Sequence, residues 1–223
     1  MTSKEIVVAL DLDECLVHTF DNDAGSGSAE LMRDPRTLSM RDRFYVLDYY
    51  DDDTERQEHY VGIRRPYLDH FLKVVTDTAD IVAVYTASQE GYAKPLVNAL
   101  FTNRGIPPPQ YVFTREDCMY LGSGELVKPL ANLLRKDPTL KARTDLHHII
   151  MLDDRAENFA LNEENGLVIT AYQPEPTIED VQADDRHLLD ALTRIKLRIK
   201  HLRRMAALKE ASRQPVTTSW SWF

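Results

Sequence analysis

The chain has 223 residues, 43% hydrophobic and 28% charged, which is enough to bury a real core in one domain with an extension. The net charge of -9 is uneven: residues 184–213 hold nine Lys/Arg and four Asp/Glu, leaving 18 against 32 in residues 1–183, so direct binding of duplex nucleic acid by the body is excluded. Two cysteines, Cys15 and Cys118, exclude a disulfide framework, and Asp21 and Gly124 stand where a cysteine-phosphatase loop needs Arg.

No apolar run approaches the about 20 residues of a membrane span, and MTSKEIVV lacks a signal pattern. The expectation is a soluble protein of a reducing compartment, nuclear or cytoplasmic.

Residues 6–10, IVVAL, read as a buried strand that stops on Asp11-Leu12-Asp13. An insert follows over residues 19–63. Its polar start, DNDAGSGSAE, reads as a mobile loop, and RFYVLDYY (43–50) with RQEHYVGI (56–63) reads as a β-hairpin around the acidic DDDTE. PYLDHFLKVV (66–75) reads as a helix with Pro66 at its first position. DIVAVYT (80–86) is a second strand. SQEGYAKPLVNALF (88–101) is a helix with Ser88 as N-cap and Pro95 as a kink or restart. KPLANLLRK (128–136) is a third helix, and HHIIML (147–152) and GLVIT (166–170) are two further strands. Continuous apolar strands alternating with helices predict a doubly wound parallel α/β sheet. Beyond it, Leu188, Leu192, Ile195, Ile199, Leu202 and Met205 recur at three or four, predicting one long amphipathic, basic helix. The expected layout is a catalytic body over 1–183, that helix over 184–213 and a frayed tail over 214–223. The helix packs on its own sheet near its start, and its distal basic turns are open to a partner or to self-association.

In open α/β sheets ligands bind beyond the carboxyl ends of the strands. There the sequence sets Asp11 and Asp13, Thr86 and Ser88, and Asp153-Asp154. Two such charges about 4 Å apart repel by about 4 kcal/mol at an effective dielectric near 20. A cation among them relieves this, and an all-oxygen set without His or Cys points to Mg²⁺. Lys128 adds positive charge. Singly, Thr86 reads as a helix cap, Lys128 as a surface lysine and Asp153-Asp154 as a turn. Their ordered combination is the informative signal.

That combination resembles the haloacid dehalogenase superfamily of aspartate-nucleophile phosphotransferases. DLDECLVH (11–18), IRRPYLDHFL (63–72), YTASQEGYAKPL (85–96), FTREDCMYLGSGELVKPL (113–130) and MLDDRAENF (151–159) are similar to the FCP/SCP branch, protein serine phosphatases of the RNA polymerase II C-terminal repeats. The resemblance spans about residues 4 to 195. It implies a Mg²⁺-dependent phosphatase of phosphorylated proteins. Asp11 would be the nucleophile that becomes an aspartyl-phosphate, and Asp13 the general acid and base. Thr86 and Lys128 would bind phosphate. The metal would be held by Asp11, the carbonyl of Asp13, and Asp153 and Asp154. It also matches Arg115 to a substrate-contacting arginine and Tyr92 to an aromatic that walls a pocket for a proline beside the phosphoserine. Phe20 and Tyr45 are further candidates for that pocket, with ordinary packing as the alternative for these aromatics. Cys15 replaces the usual Thr, which raises the expectation of an oxidation-sensitive site. Two other readings stand beside this one: a non-catalytic binding protein on the same fold, and a small-molecule phosphatase of the wider superfamily.

Overall fold

The computed structural model describes residues 4–20, 27–51 and 54–212. In chain order the strands are β1 (Val7–Leu10), β2 (Val17–Thr19), β3 (Phe44–Asp51), β4 (Arg56–Arg64), β5 (Ile81–Tyr85), β6 (Tyr111–Phe113), β7 (Met119–Tyr120), β8 (Leu126–Val127), β9 (Ile149–Asp153) and β10 (Gly166–Val168). The helices are α1 (Ser28–Arg33), α2 (Leu68–Thr78), α3 (Glu90–Leu100), α4 (Leu130–Lys136), α5 (Pro138–Arg143), α6 (Ile178–Gln182) and α7 (His187–Ala211).

Five strands form one parallel sheet in the order β10-β9-β1-β5-β6. Its strands are apolar throughout because both faces are covered. Side chains alternate across the pleat. Val8, Leu10, Val82, Val84, Ile150 and Leu152 join one core with α2, α3 and α7. Val7, Ala9, Ile81, Ala83, Ile149 and Met151 join the other with α4 and α5. β1 lies between β9 and β5, with Leu10 level with Leu152 and Val84. All three strands therefore end at the same height, and whatever follows them shares one edge.

A second sheet, β2-β4-β3, is antiparallel and contains the hairpin predicted within the insert. The start of that insert differs from the loop expected. Residues 21–26 lie outside the described residues, and Ser28–Arg33 is helical. α2 begins at Leu68, with Tyr67 as its N-cap in the left-handed region (φ 65°), so Pro66 stands outside the helix rather than at its first position. α3 begins at Glu90 with Gln89 as N-cap, and Pro95 sits inside it without ending it. Edge strand β6 and the small β7–β8 hairpin are additions; at three and two residues they are too short for periodicity to reveal.

α7 behaves in two halves. Leu188, Leu192, Ile195 and Ile199 are buried in the core beside α2, and Leu202 is half-buried. Met205 and Leu208 are exposed. The expected tail, 214–223, lies outside the described residues. No helix among the described residues is long and apolar enough to cross a membrane.

Candidate active site

Why a buried strand should end on two acids, followed at once by more apolar residues, is answered by the loop after β1. Leu12, Cys15 and Leu16 are fully buried and plug the loop into the core. Its backbone closes on itself, with Leu16 N–H donating to Leu12 O (2.8 Å) and Glu14 N–H to Val17 O (2.8 Å). Glu14 takes a left-handed conformation (φ 58°) to make that turn. Arg65 Nη1 holds the carbonyl of Cys15 from behind at 3.0 Å. The apolar residues anchor the turn, and Asp11 and Asp13 are aimed by it.

Asp11 follows β1 directly, its N–H bonded to Leu152 O of β9 at 3.0 Å. Asp153 is the last residue of β9 and is fully buried. Lys128, delivered at the junction of β8 and α4, is 2% exposed and bridges the two. Its Nζ lies 2.5 Å from Asp11 Oδ1 and 2.7 Å from Asp153 Oδ2. It is thus a buried paired cation, and the surface-lysine reading falls. The other oxygen of Asp153 accepts from Arg155 N–H (2.9 Å) and Asn158 Nδ2 (2.8 Å). Asn158 was not among the expected site residues, although it lies within the MLDDRAENF stretch.

Carboxylate oxygens of Asp11, Asp153 and Asp154 all lie within 4.8 Å of one another, the one such group found among the described residues. Three carboxylates around one ammonium leave two negative charges in a buried site. Burial, then the neighbouring Asp153, raises the carboxyl of Asp11 well above its ordinary range against the pull of Lys128. The same two causes push Asp154 up to about 6. Burial disfavours the charged form of Lys128, but Asp11 and Asp153 outweigh it and hold the amine above its usual range. A hard divalent cation fits this set: the donors are all oxygen and the uncompensated charge is two.

Asp13 points elsewhere. Its Oδ2 accepts from Ser88 Oγ (2.7 Å) and its Oδ1 from Tyr92 OH (2.5 Å). Ser88 is therefore a partner of Asp13 and not the expected helix cap. Tyr92 is 8% exposed and takes up a place behind Asp13, with its hydroxyl also 2.6 Å from Thr19 Oγ1. Thr86 lies just past β5, where its Oγ1 accepts from Ser88 N–H at 3.1 Å. Arg115 borders the same edge, with Nε donating to Ala87 O and its N–H to Ser88 O, both at 3.0 Å.

Phe20 packs with Leu31, Ile63, Tyr172 and Val181, so packing is its role. Tyr45 is buried in the main core with its hydroxyl on Thr19. Cys15 is fully enclosed and burial pushes its thiol up, the opposite of a reactive thiolate, which counts against the expected oxidation sensitivity.

The sequence model of the NLI interacting factor-like phosphatases matches residues 6–205. A probable C-terminal domain small phosphatase of Dictyostelium discoideum is 30% identical over 185 residues, which is 83% of this chain and 48% of that protein. CTD small phosphatase-like protein 2 of the same organism is 29% identical over 171 residues, 77% of this chain and 24% of that protein. The chain thus spans at most about half the length of these relatives. The structure of Fcp1, an essential RNA polymerase II CTD phosphatase, superposes with a TM-score of 0.59 at 19% identity, covering 95% of this chain and 55% of that one, a likeness of fold. By the match over residues 6–205, the chain belongs to the NLI interacting factor-like phosphatase family.

Proposed function

We propose that the chain is a Mg²⁺-dependent phosphatase of phosphoserine or phosphothreonine in proteins, working through an aspartyl-phosphate on Asp11. The observation that carries this reading is Lys128 Nζ bridging Asp11 and Asp153, with Asp154 as an additional carboxylate. A carboxylate attacking a phosphate dianion meets like charge, so positive charge must stand at the point of attack. Lys128 is already there, 2.5 Å from the attacking carboxylate. Thr86, at the end of the neighbouring strand, offers a hydroxyl to the phosphoryl oxygens.

The residues that would hold Mg²⁺ are Asp11, Asp154 and the backbone carbonyl of Asp13. Asp153, whose two oxygens already serve Lys128, Arg155 and Asn158, orients Lys128 and acts from behind. When bound, Mg²⁺ supplies charge neutralisation for the transferring phosphoryl group. Asp13 donates a proton to the leaving seryl oxygen, then takes one from the water that cleaves the acyl phosphate. Ser88 and Tyr92 keep its carboxyl directed.

Two relatives are named C-terminal-domain small phosphatases, and the motif resemblance to phosphatases of the RNA polymerase II repeats makes those repeats the proposed substrate. The test is hydrolysis, with and without Mg²⁺, of repeat peptides phosphorylated at either Ser-Pro serine, set against sugar phosphates and nucleotides. Preference for the peptides and loss of turnover on chelation are expected. Undiminished turnover in chelator, or a phosphoryl adduct trapped on a residue other than Asp11, rejects the mechanism. Preference for a small phosphate rejects the substrate.

A further inference from the structure

Asp13 sits at the end of a buried line of hydroxyls that runs into the hairpin sheet. Tyr92 OH is 2.5 Å from Asp13 Oδ1 and 2.6 Å from Thr19 Oγ1; Thr19 Oγ1 is 2.7 Å from Tyr45 OH. Three elements contribute: α3 carries Tyr92, β2 carries Thr19 and β3 carries Tyr45. The line is a built feature. Tyr45 lies opposite Gly62 in the β3–β4 register, and a Cβ on Gly62 would fall 2.1 Å from the Tyr45 ring, so only glycine seats that ring. Tyr49, also on β3, packs edge-on against Tyr92 with centroids 5.5 Å apart. Tyr45 and Tyr92 are each more than nine-tenths buried. Burial of polar groups costs stability unless each finds a partner, and here the partners are one another and Asp13.

We infer that Tyr92 is a positioning residue for the general acid Asp13, and that the hairpin sheet, through Tyr45 and Thr19, holds Tyr92 in place. This rests on the phosphatase reading above. In the step concerned, the P–O bond to serine breaks as the Asp11 carboxylate forms its own bond to phosphorus. The electron pair of the broken bond stays on the seryl oxygen, which takes the proton of Asp13, leaving Asp13 as a carboxylate. Tyr92 OH on Oδ1 and Ser88 Oγ on Oδ2 donate to that carboxylate as its charge appears, so their contribution is larger in the transition state than before it. The proton itself matters only when the leaving oxygen is a poor leaving group. An alkyl seryl oxygen is one; a nitrophenolate is not.

The test compares kcat/KM for a phosphoserine peptide with kcat/KM for p-nitrophenyl phosphate, because acid assistance enters the first value and not the second, and it follows the peptide's KM alongside, so that a change in peptide binding is read separately. Tyr92→Phe should lower the peptide-to-aryl ratio about tenfold or more, within the range of general acid contributions. Ser88→Ala should lower it in the same direction and Tyr45→Phe by about threefold. Tyr49→Phe, which alters a ring neighbour outside the line, should keep the parent ratio. Tyr92→Phe leaves Thr19 bonded to Tyr45 and Asp13 bonded to Ser88, so the variant is expected to fold with a parent-like melting temperature. A ratio unchanged in Tyr92→Phe, or shifted equally in Tyr49→Phe, overturns the inference while the parent stays active. A parent inactive on both esters sinks the phosphatase reading itself, and the inference with it.

Discussion

Three cations are buried among the described residues, Arg64, Arg65 and Lys128, and the last two are partnered differently. Arg65 is 1% exposed and fully committed: Nε and Nη2 meet Asp185 (closest contact 2.9 Å), Nη1 meets Cys15 O, and the guanidinium lies over the Tyr172 ring at 5.4 Å. One guanidinium faces one carboxylate, and its remaining nitrogen, Nη1, donates to a backbone carbonyl. Lys128 faces two carboxylates with another close by, so its site carries excess negative charge. The first arrangement joins the segment before α7 to the loop after β1. The second stores a charge imbalance that a divalent cation or a phosphate can exploit. Burial and ion pairing alone do not distinguish structure from chemistry; the balance of charge does.

The largest expected contrast comes from Asp11→Asn. The amide cannot attack phosphorus, so turnover should fall by about 10³-fold or more. The same change removes one of three mutually repelling carboxylates, so the melting temperature should equal or exceed that of the parent. Activity in a purified, metal-loaded variant comparable with the parent would break the assignment of a poised site. Lys128→Met comes next, with an expected loss of about 10²-fold in turnover and weaker competition by inorganic phosphate, because fixed positive charge at the phosphoryl group is lost. Here stability should fall too, since Asp11 and Asp153 lose their counter-ion. Parent-like phosphate competition would return Lys128 to a purely structural role.

Arg65→Met inverts the pattern. Breaking a buried pair by removing one partner costs about 3–5 kcal/mol, read as a lower denaturation midpoint. Turnover per folded molecule at low temperature should change by less than tenfold, the indirect effect of loosening Cys15 O. A loss of turnover matching that of Lys128→Met, in protein shown to be folded, would erase the distinction between the two cations.

The sequence makes the Lys128 site legible and leaves the Arg65 site obscure, for a physical reason. Asp11 and Thr86 follow, and Asp153 ends, apolar strands of recognisable length, and parallel strands in register bring those ends together. Lys128 is readable by its place in a known order of motifs. Arg65 sits in a stretch read only through its resemblance, and its partner Asp185 is 120 residues away at the head of the predicted C-terminal helix, before the first residue of its apolar repeat. The hydroxyl line is obscure for the same reason: Thr19, Tyr45 and Tyr92 are joined by tertiary packing between the hairpin sheet and α3. Local signals also failed where backbone geometry overrode them. Pro66 fell outside α2 because Tyr67 takes the capping conformation, and Ser88 turned to Asp13 instead of capping α3.

The smallest expected effect is a shift in melting temperature that probes the imbalance directly. Asp154 has a folded pKa of about 6 against an ordinary 3.8, and Asp11 is raised as well. For a carboxyl raised on folding, the folded state holds the proton more tightly than the unfolded one. Its charged form therefore costs stability above about pH 6, and the cost fades as pH falls from 6 towards 4. Magnesium and protons relieve the same repulsion and so compete. Magnesium at about 100 times its dissociation constant contributes about 2.7 kcal/mol at pH 7, a rise of about 5–10 °C for a chain of this size. At pH 5 the rise should be clearly smaller, because Asp154 is already largely protonated. Asp154→Ala, which removes the ligand oxygen altogether, should abolish most of the rise at pH 7, whereas Arg65→Met, which leaves the carboxylates intact, should keep it. A magnesium-induced rise equal at pH 5 and pH 7, or one that survives in Asp154→Ala, would place the cation away from the strand ends and remove the difference between the two buried charges.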